Sequence, residues 1–443
     1  GHPRCFGGGF ESDMGKRKLG KIVTRPGRRH GDQAINFPVA ADLLKVEGVP
    51  TRNDEVSYYS REFPMDSFSS EQSASAIWAD NQRSQHSPKT AELYRNYQKQ
   101  ISPWVQKILQ ISKENPTNLP SGQDPTEPIR EKARSLGYGE VGFTRFDRRY
   151  IYHNRIDDVR TDLPNAICLA LEQDYKKTQK IPSLDSEIAQ GESYMKQAEL
   201  ALGLAEFLIT LGYRAQISGP VWFFGPVIPM FVECGLGQLG INGQLLSPHF
   251  GSRARLQIII TDAPLRHDAP IDYGIHKFCE LCQICFMRCP GKAIQAQRVW
   301  FRGVEKNKLI HERCRPVMSR YSGCGVCMKV CPIQKYGMKS VMEHYVEKGE
   351  ILGKSSEDLE GYELPGKGYF GPGKTPKFDR EFFNMPSGRA EMVALTEVRD
   401  KLSSTGSLSD SDKDKIWLEF RAKIEEIESA KGKIVDMGMD MDI

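Results

Sequence analysis

Eight of the chain's 11 cysteines fall between Cys279 and Cys331, in two runs that share a spacing. The first reads Cys279-x2-Cys282-x2-Cys285-x3-Cys289-Pro290; the second reads Cys314-x9-Cys324-x2-Cys327-x3-Cys331-Pro332, its first cysteine displaced by a longer loop. Thiolates at such intervals grip one face of an iron–sulfur cube, and the cysteine before proline crosses to the neighbouring cube. That rule assigns Cys279, Cys282, Cys285 and Cys331 to one [4Fe-4S] cluster, and Cys314, Cys324, Cys327 and Cys289 to the other. Structural zinc also takes four thiolates. It leaves the two x3-Cys-Pro endings unexplained. A disulfide framework is excluded on another ground: a chain of 443 residues needs no staples and would not crowd eight cysteines into one segment. Cys5, Cys168 and Cys234 lie in a loop or in apolar runs and read as inert thiols.

Two cubes in one module make a short wire for single electrons, and the wire needs a terminus. The elements before it must hold the acceptor. Residues 1–125 are polar and irregular apart from a helix over Ala91 to Lys113, where Leu93, Tyr97, Ile101, Val105 and Ile108 keep a three-to-four spacing; they read as a wrapping segment. A mixed helix-and-strand core follows over 126–265. It comprises a helix from Pro128 to Leu136 ending at Gly137, strands at Val141–Thr144 and Asn165–Leu171, a helix from Glu192 to Leu211 stopped by Gly212, and strands at Tyr213–Ser218 and Ala254–Thr261. The cysteine module occupies 266–340. An extension over 341–443 carries a Gly/Pro/Lys-rich stretch and a charged helix from Asp410 to Lys431, read as a solvated face.

Gly235-Leu236-Gly237-Gln238-Leu239-Gly240 matches G-x-G-x-x-G, yet a dinucleotide site needs a strand before it. Pro226 to Cys234 contains Pro229 and reads as a turn or short helix, so the glycines point instead to close backbone packing around another ligand. The order of motifs then becomes recognisable. Val141-Gly142-Phe143-Thr144-Arg145, Cys234 to Gly240, Leu246-Ser247-Pro248-His249-Phe250-Gly251, Ala254-Arg255-Leu256 and Thr261-Asp262-Ala263-Pro264-Leu265, ending in two ferredoxin-type runs, together resemble the corrinoid-dependent reductive dehalogenases over about residues 126–335.

That resemblance implies an α+β protein: a nitroreductase-like α/β core that binds a cobalamin-type corrinoid, a ferredoxin-like module with two [4Fe-4S] clusters, and irregular N- and C-terminal extensions. It implies an oxidoreductase that replaces a carbon–halogen bond by carbon–hydrogen, drawing on Co(I). The family's tyrosine proton donor matches Tyr194, which precedes Tyr213 by 19 residues, and its active-site arginine matches Arg255. A phenol is a poor acid at neutral pH unless a cation stabilises its anion, and Arg255 suits that task. Phe143, Gly235, Gly237, Gln238, Gly240, Ser247, His249 and Phe250 are implied to meet the corrinoid. Trp222, Phe223 and Phe224 suggest an aromatic substrate wall where the family tends to carry an Asn that this chain lacks. No histidine follows an Asp in the spacing that inserts an imidazole under cobalt, so the cofactor is expected base-off, with His249 a loop residue near it.

A related family, the epoxyqueuosine reductases of tRNA modification, shares core, corrinoid and clusters. It is expected to place a catalytic Asp directly before the helix aromatic, where this chain has Ser193. A plain electron-transfer protein is the third reading. Sixty-one basic against 57 acidic residues leave a net charge of +4, dispersed along the chain, so no nucleic acid is expected. No apolar run reaches the length of a membrane span; the best, Leu200 to Tyr213, carries Glu206. The implied partners are a small organohalide, a low-potential electron donor and a small membrane-anchor subunit. The chain begins at Gly1, and the resemblance suggests a mature chain at the outer face of the cytoplasmic membrane after signal removal, with a cytoplasmic location as the alternative.

Overall fold

The computed structural model describes residues 74–385 apart from 152, 221–222 and 302–303, together with 397–398, 401–402 and 408–429. Its longer helices and its strands up to the end of the main sheet are, in chain order, α1 (Ala74–His86), α2 (Pro88–Ile111), α3 (Thr126–Leu136), β1 (Glu140–Arg145), β2 (Asn165–Glu172), α4 (Leu184–Thr210), β3 (Ala215–Ser218), α5 (Ile228–Glu233), β4 (Gln238–Leu239), β5 (Leu245–Leu246) and β6 (Ala254–Thr261), with a single helical turn at Tyr175–Thr178 between β2 and α4. β1, β2, β6 and β3 form one sheet in that order, every neighbour antiparallel. The run Ala166 to Leu171 is continuously apolar because the sheet is covered on both faces. Ile167, Leu169 and Leu171 point to one core with Leu204 and Leu208 of α4, whereas Ala166, Cys168 and Ala170 point to another with Phe146, Phe224 and Phe231. Each such Leu or Ile side chain contributes roughly 1.5–3 kcal/mol of burial.

The central helix differs from its sequence expectation at one end. α4 starts at Leu184 rather than Glu192, after an N-cap at Ser183 whose hydroxyl accepts from the Ser186 backbone in a reciprocal capping box. Its first two turns carry few large apolar residues, so hydrophobic periodicity misses them. They are instead buried by close approach: a methyl group on Gly191 would strike the ring of Tyr97 from α2, which explains why two long helices can lie so near each other.

Gly235 follows the short helix α5, not a strand, as the sequence indicates. Gly235 and Gly237 adopt φ of +74° and +155°, and side chains there would meet the carbonyls of Ala269 and Leu246. The close packing of this segment is thus against the protein's own backbone.

Beyond the sheet come α6 (Ile275–Cys282), α7 (Ile284–Arg288), a hairpin of β7 (Ile294–Phe301) and β8 (Val304–Leu309), α8 (His311–Arg320), α9 (Val326–Lys329), α10 (Pro332–Tyr336) and α11 (Met338–Lys348). The hairpin separates the two cysteine runs, and the nine residues between Cys314 and Cys324 are the rest of α8 and the turn after it. The stretch expected to be an irregular extension instead closes this region: β9 (Tyr362–Leu364) pairs with β10 (Gly368–Phe370), and Leu359, Tyr362, Leu364 and Phe383 join the same apolar core as Phe278, Ile284 and Ile333. Arg288, 1% exposed, pins it by donating to the backbone oxygens of Glu360, Phe370 and Lys374. Only the last helix, α12 (Asp410–Ser429), keeps the expected exposed charged face.

Candidate active site

The crossed pairing of the cysteines is visible in space. Cys279 and Cys282 on α6, Cys285 on α7 and Cys331 before α10 line one cavity, together with Ile241, Leu246, Phe278 and Ile333. Three thiols of the first run therefore meet the last thiol of the second. Cys289, Cys314, Cys324 and Cys327 form a second group within electrostatic reach of one another. The two groups adjoin, since Cys285 also feels Cys327. Burial pushes the free thiols of Cys279 and Cys314 up to about 12, so a cation must compensate before they can ligate as thiolates. Among the described residues no three His, Cys, Asp or Glu side chains stand close enough to hold one metal ion between them.

Tyr194 and Arg255 are brought together from α4 and β6, with the guanidinium 5.7 Å from the centre of the phenol ring. Register explains the approach. Arg255 lies opposite Leu171 on β2, so its side chain shares a face with Gln173 just past the end of that strand. Gln173 Oε1 accepts from Arg255 Nε at 2.7 Å and from Nη2. One turn along α4 from Tyr194, Gln197 Nε2 donates to the Arg255 carbonyl at 2.9 Å, which ties helix to strand. Gln190 Nε2 donates to the Tyr194 hydroxyl at 3.1 Å. Two turns before Tyr194 on the same helix face, Glu187 is buried and accepts the hydroxyl of Tyr94 from α2. Burial raises the Glu187 carboxyl to about 6, against the opposing pull of Tyr94, Arg255 and Arg83. Arg83 stacks 4.6 Å over Tyr94. Glu187, Tyr94 and Gln173 have no signature in the sequence; the i, i+7 spacing of Glu187 and Tyr194 is the one clue, and it becomes readable only once α4 is known to start at Leu184.

The remaining residues are placed as follows. Phe143 is fully buried under Arg130, 4.5 Å away, and its backbone groups are both bonded to Asp268. Gln238 Oε1 accepts from the backbone of Tyr273 and of Ile275, while its buried Nε2 has no protein partner. Ser247 donates to Glu140 at 3.0 Å and accepts from the Phe250 backbone. Phe250 is half-buried, His249 is exposed, and a side chain on Gly240 would meet Asn242 and Leu246. Phe224 packs edge-on against Phe146 at 5.6 Å in the core, and Phe223 is half-buried beside Gly219. Trp222 and Cys5 lie outside the described residues. Cys168 and Cys234 are buried.

The geometry can be set beside known proteins. No family model matches the chain. Over 134 residues, 30% of the chain, it is 39% identical to the tetrachloroethene reductive dehalogenase of Desulfitobacterium hafniense, and it spans 24% of that protein. Over 264 residues, 49% of the chain, it is 28% identical to the tetrachloroethene reductive dehalogenase of Sulfurospirillum multivorans and spans 52% of it. Over these stretches the chain is similar to reductive dehalogenases. Both of these curated proteins are oxidoreductases, and the chain spans between a quarter and a half of their length. A catabolic reductive dehalogenase solved with 3-bromo-4-hydroxybenzoic acid superposes on 68% of this chain and 47% of its own, with a TM-score of 0.57 at 22% identity, a likeness of fold. A weaker likeness links it to the epoxyqueuosine reductase of Lactococcus garvieae, 30% identical over 32% of the chain and 40% of that enzyme.

Proposed function

We propose that this chain is the catalytic part of a reductive dehalogenase that replaces carbon–halogen by carbon–hydrogen in a small organohalide, with Tyr194 as proton donor. The observation that carries the reading is the juxtaposition of Arg255 with the Tyr194 ring inside a polar network on the central helix. The reaction consumes two electrons and one proton and releases halide. The eight module cysteines would hold two [4Fe-4S] clusters that pass electrons singly. A corrinoid, when bound, would supply the strongly reducing centre that cleavage of a carbon–halogen bond requires. Its amide-fringed rim suits the unpartnered buried polar atoms Gln238 Nε2, Gln244 Oε1 and Ser252 Oγ, which fall along β4, β5 and the loop after them.

This chain's own residues handle the proton and the charge. Tyr194 donates from its hydroxyl, Gln190 holds that hydroxyl at the oxygen, and Arg255 stabilises the phenolate left behind and attracts the departing halide. Half-buried Phe223 fits the aromatic side of a substrate wall. The tRNA-modifying alternative asks for an acid at position 193; Ser193 is buried and donates to the Ala189 carbonyl, so it has no proton to offer a substrate. A membrane-anchor subunit, a low-potential donor and a site at the outer face of the membrane belong to the same proposal. No helix among the described residues is long and apolar enough to cross a membrane.

Metal analysis with an absorption spectrum of anaerobically prepared protein tests this reading. It expects about eight iron and eight labile sulfides, with one cobalt of corrinoid character, per chain. Zinc with negligible sulfide would overturn it.

A further inference from the structure

The proposed function needs Arg255 to keep its charge available to the tyrosine, and that constrains whatever holds Arg255. Gln173 does so, and it is 1% exposed. Its amide is used at both ends. Oε1 accepts from two guanidinium nitrogens, and Nε2 donates to Thr178 Oγ1 at 2.9 Å, whose hydroxyl in turn donates to the Asp174 carbonyl at 2.6 Å. The Gln173 backbone N–H is fixed as well, donating to the Arg253 carbonyl at 3.0 Å. An amide so bonded cannot flip, because flipping would set its NH2 against the guanidinium. A carboxylate in the same place would grip the fork more strongly but would cancel its charge.

We propose that Gln173 is a positioning residue for the reaction: a neutral acceptor that aims the Arg255 fork while leaving its positive charge free for the tyrosine anion and the departing halide. The titratable groups that face that fork are Tyr194 and Glu187 from α4, with Tyr94 from α2 and Arg83 from α1 behind them, against Glu187. The carboxylate among them, Glu187, is engaged by the Tyr94 hydroxyl and makes no close ion pair with Arg255. The proposal rests on the reading of Tyr194 as proton donor.

Two variants of the loaded protein separate aim from charge, with kcat and KM determined separately and halide binding read without turnover from chloride-35 NMR line broadening. Gln173→Glu keeps the acceptor and adds a charge; kcat should fall about tenfold or more, the scale of a one-unit change in a neighbour's acidity, and broadening should drop to the level of Arg255→Leu. Gln173→Met removes the acceptor and spares the charge. It should lower kcat with KM little changed and keep the broadening. Wild-type kcat and broadening in Gln173→Glu would overturn the proposal, as would wild-type kcat in Gln173→Met. Should Gln173→Glu fail to fold, Thr178→Val, which takes the partner from the amide nitrogen and also one bond from the Asp174 carbonyl, should lower kcat about threefold, the worth of one neutral hydrogen bond at the amide; an unchanged rate there would overturn the proposal too. Full activity in Tyr194→Phe would sink the proton-donor reading, whereas the chloride comparison judges Gln173 whatever that result.

Discussion

The cysteine-lined site draws its ligands from one short stretch of chain, α6 to α10, and buries them among Ile241, Leu246, Phe278 and Ile333. The Tyr194 site draws Tyr94 from α2, Glu187, Gln190 and Tyr194 from α4, Gln173 from the end of β2 and Arg255 from β6, and fills the space between them with charges and amides. The contrast fits what each is proposed to move. Soft thiols in apolar surroundings suit an electron carrier, whose potential depends on a dry environment. A proton donor needs the opposite, a cation and hydrogen bonds that hold its anion. The first site should therefore fail ligand by ligand, and the second should fail whenever any one of its elements shifts.

The sharpest test of this contrast is loss of single ligands. Cys279→Ser and Cys324→Ser should each damage a different cube and lower iron from about eight toward about four per chain, measured by iron and sulfide analysis. Equal damage by both variants to one and the same cube, seen by EPR of the reduced protein, would break the crossed assignment. Next in size is Tyr194→Phe, which keeps the ring and removes the acid. Metal content should be unchanged and turnover should drop about 10²-fold or more, whereas Tyr213→Phe at the far end of the helix should matter little.

Arg288 tests whether the cysteine region depends on the chain that folds back over it. Arg288→Leu strips the guanidinium from three backbone oxygens and leaves the buried Glu360 carboxylate, 3.7 Å away, without its cation. The expected cost is about 3–5 kcal/mol of unfolding free energy, measured by denaturant titration, with the 357–383 segment cleaved first in limited proteolysis. The smallest effect concerns Glu140 at the start of β1. Burial raises its carboxyl to about 7 against the Ser247 hydroxyl, so the folded state favours the neutral acid. The stability it lends is complete below the usual carboxylate range and is lost as pH rises through about 7, by about 3 kcal/mol. Glu140→Gln should flatten that part of the pH–stability curve.

The strands were readable from sequence because alternate residues of β2 serve two different cores, which leaves an unbroken apolar run between polar ends. The cysteine grouping was readable because its geometry is written into local spacing. Two features were not. The start of α4 is buried by close approach at Gly191 rather than by large side chains, so its first turns, and with them Glu187, carry no hydrophobic signal. The closing segment over 357–383 is held by an arginine bonding to backbone oxygens, acceptors that every residue possesses. Gln173 belongs with these, since an amide beside a strand end looks like any surface glutamine until the register brings Arg255 to it.

Electron site and proton site are claimed to serve one reaction, and a single measurement addresses that claim. Fully loaded wild-type protein is given a halogenated substrate and a low-potential reductant in deuterated water, and halide and product are quantified together. The account predicts one halide released for each carbon–deuterium bond formed. Absence of halide release, with reduction instead of an epoxyqueuosine-bearing tRNA stem loop, would contradict it.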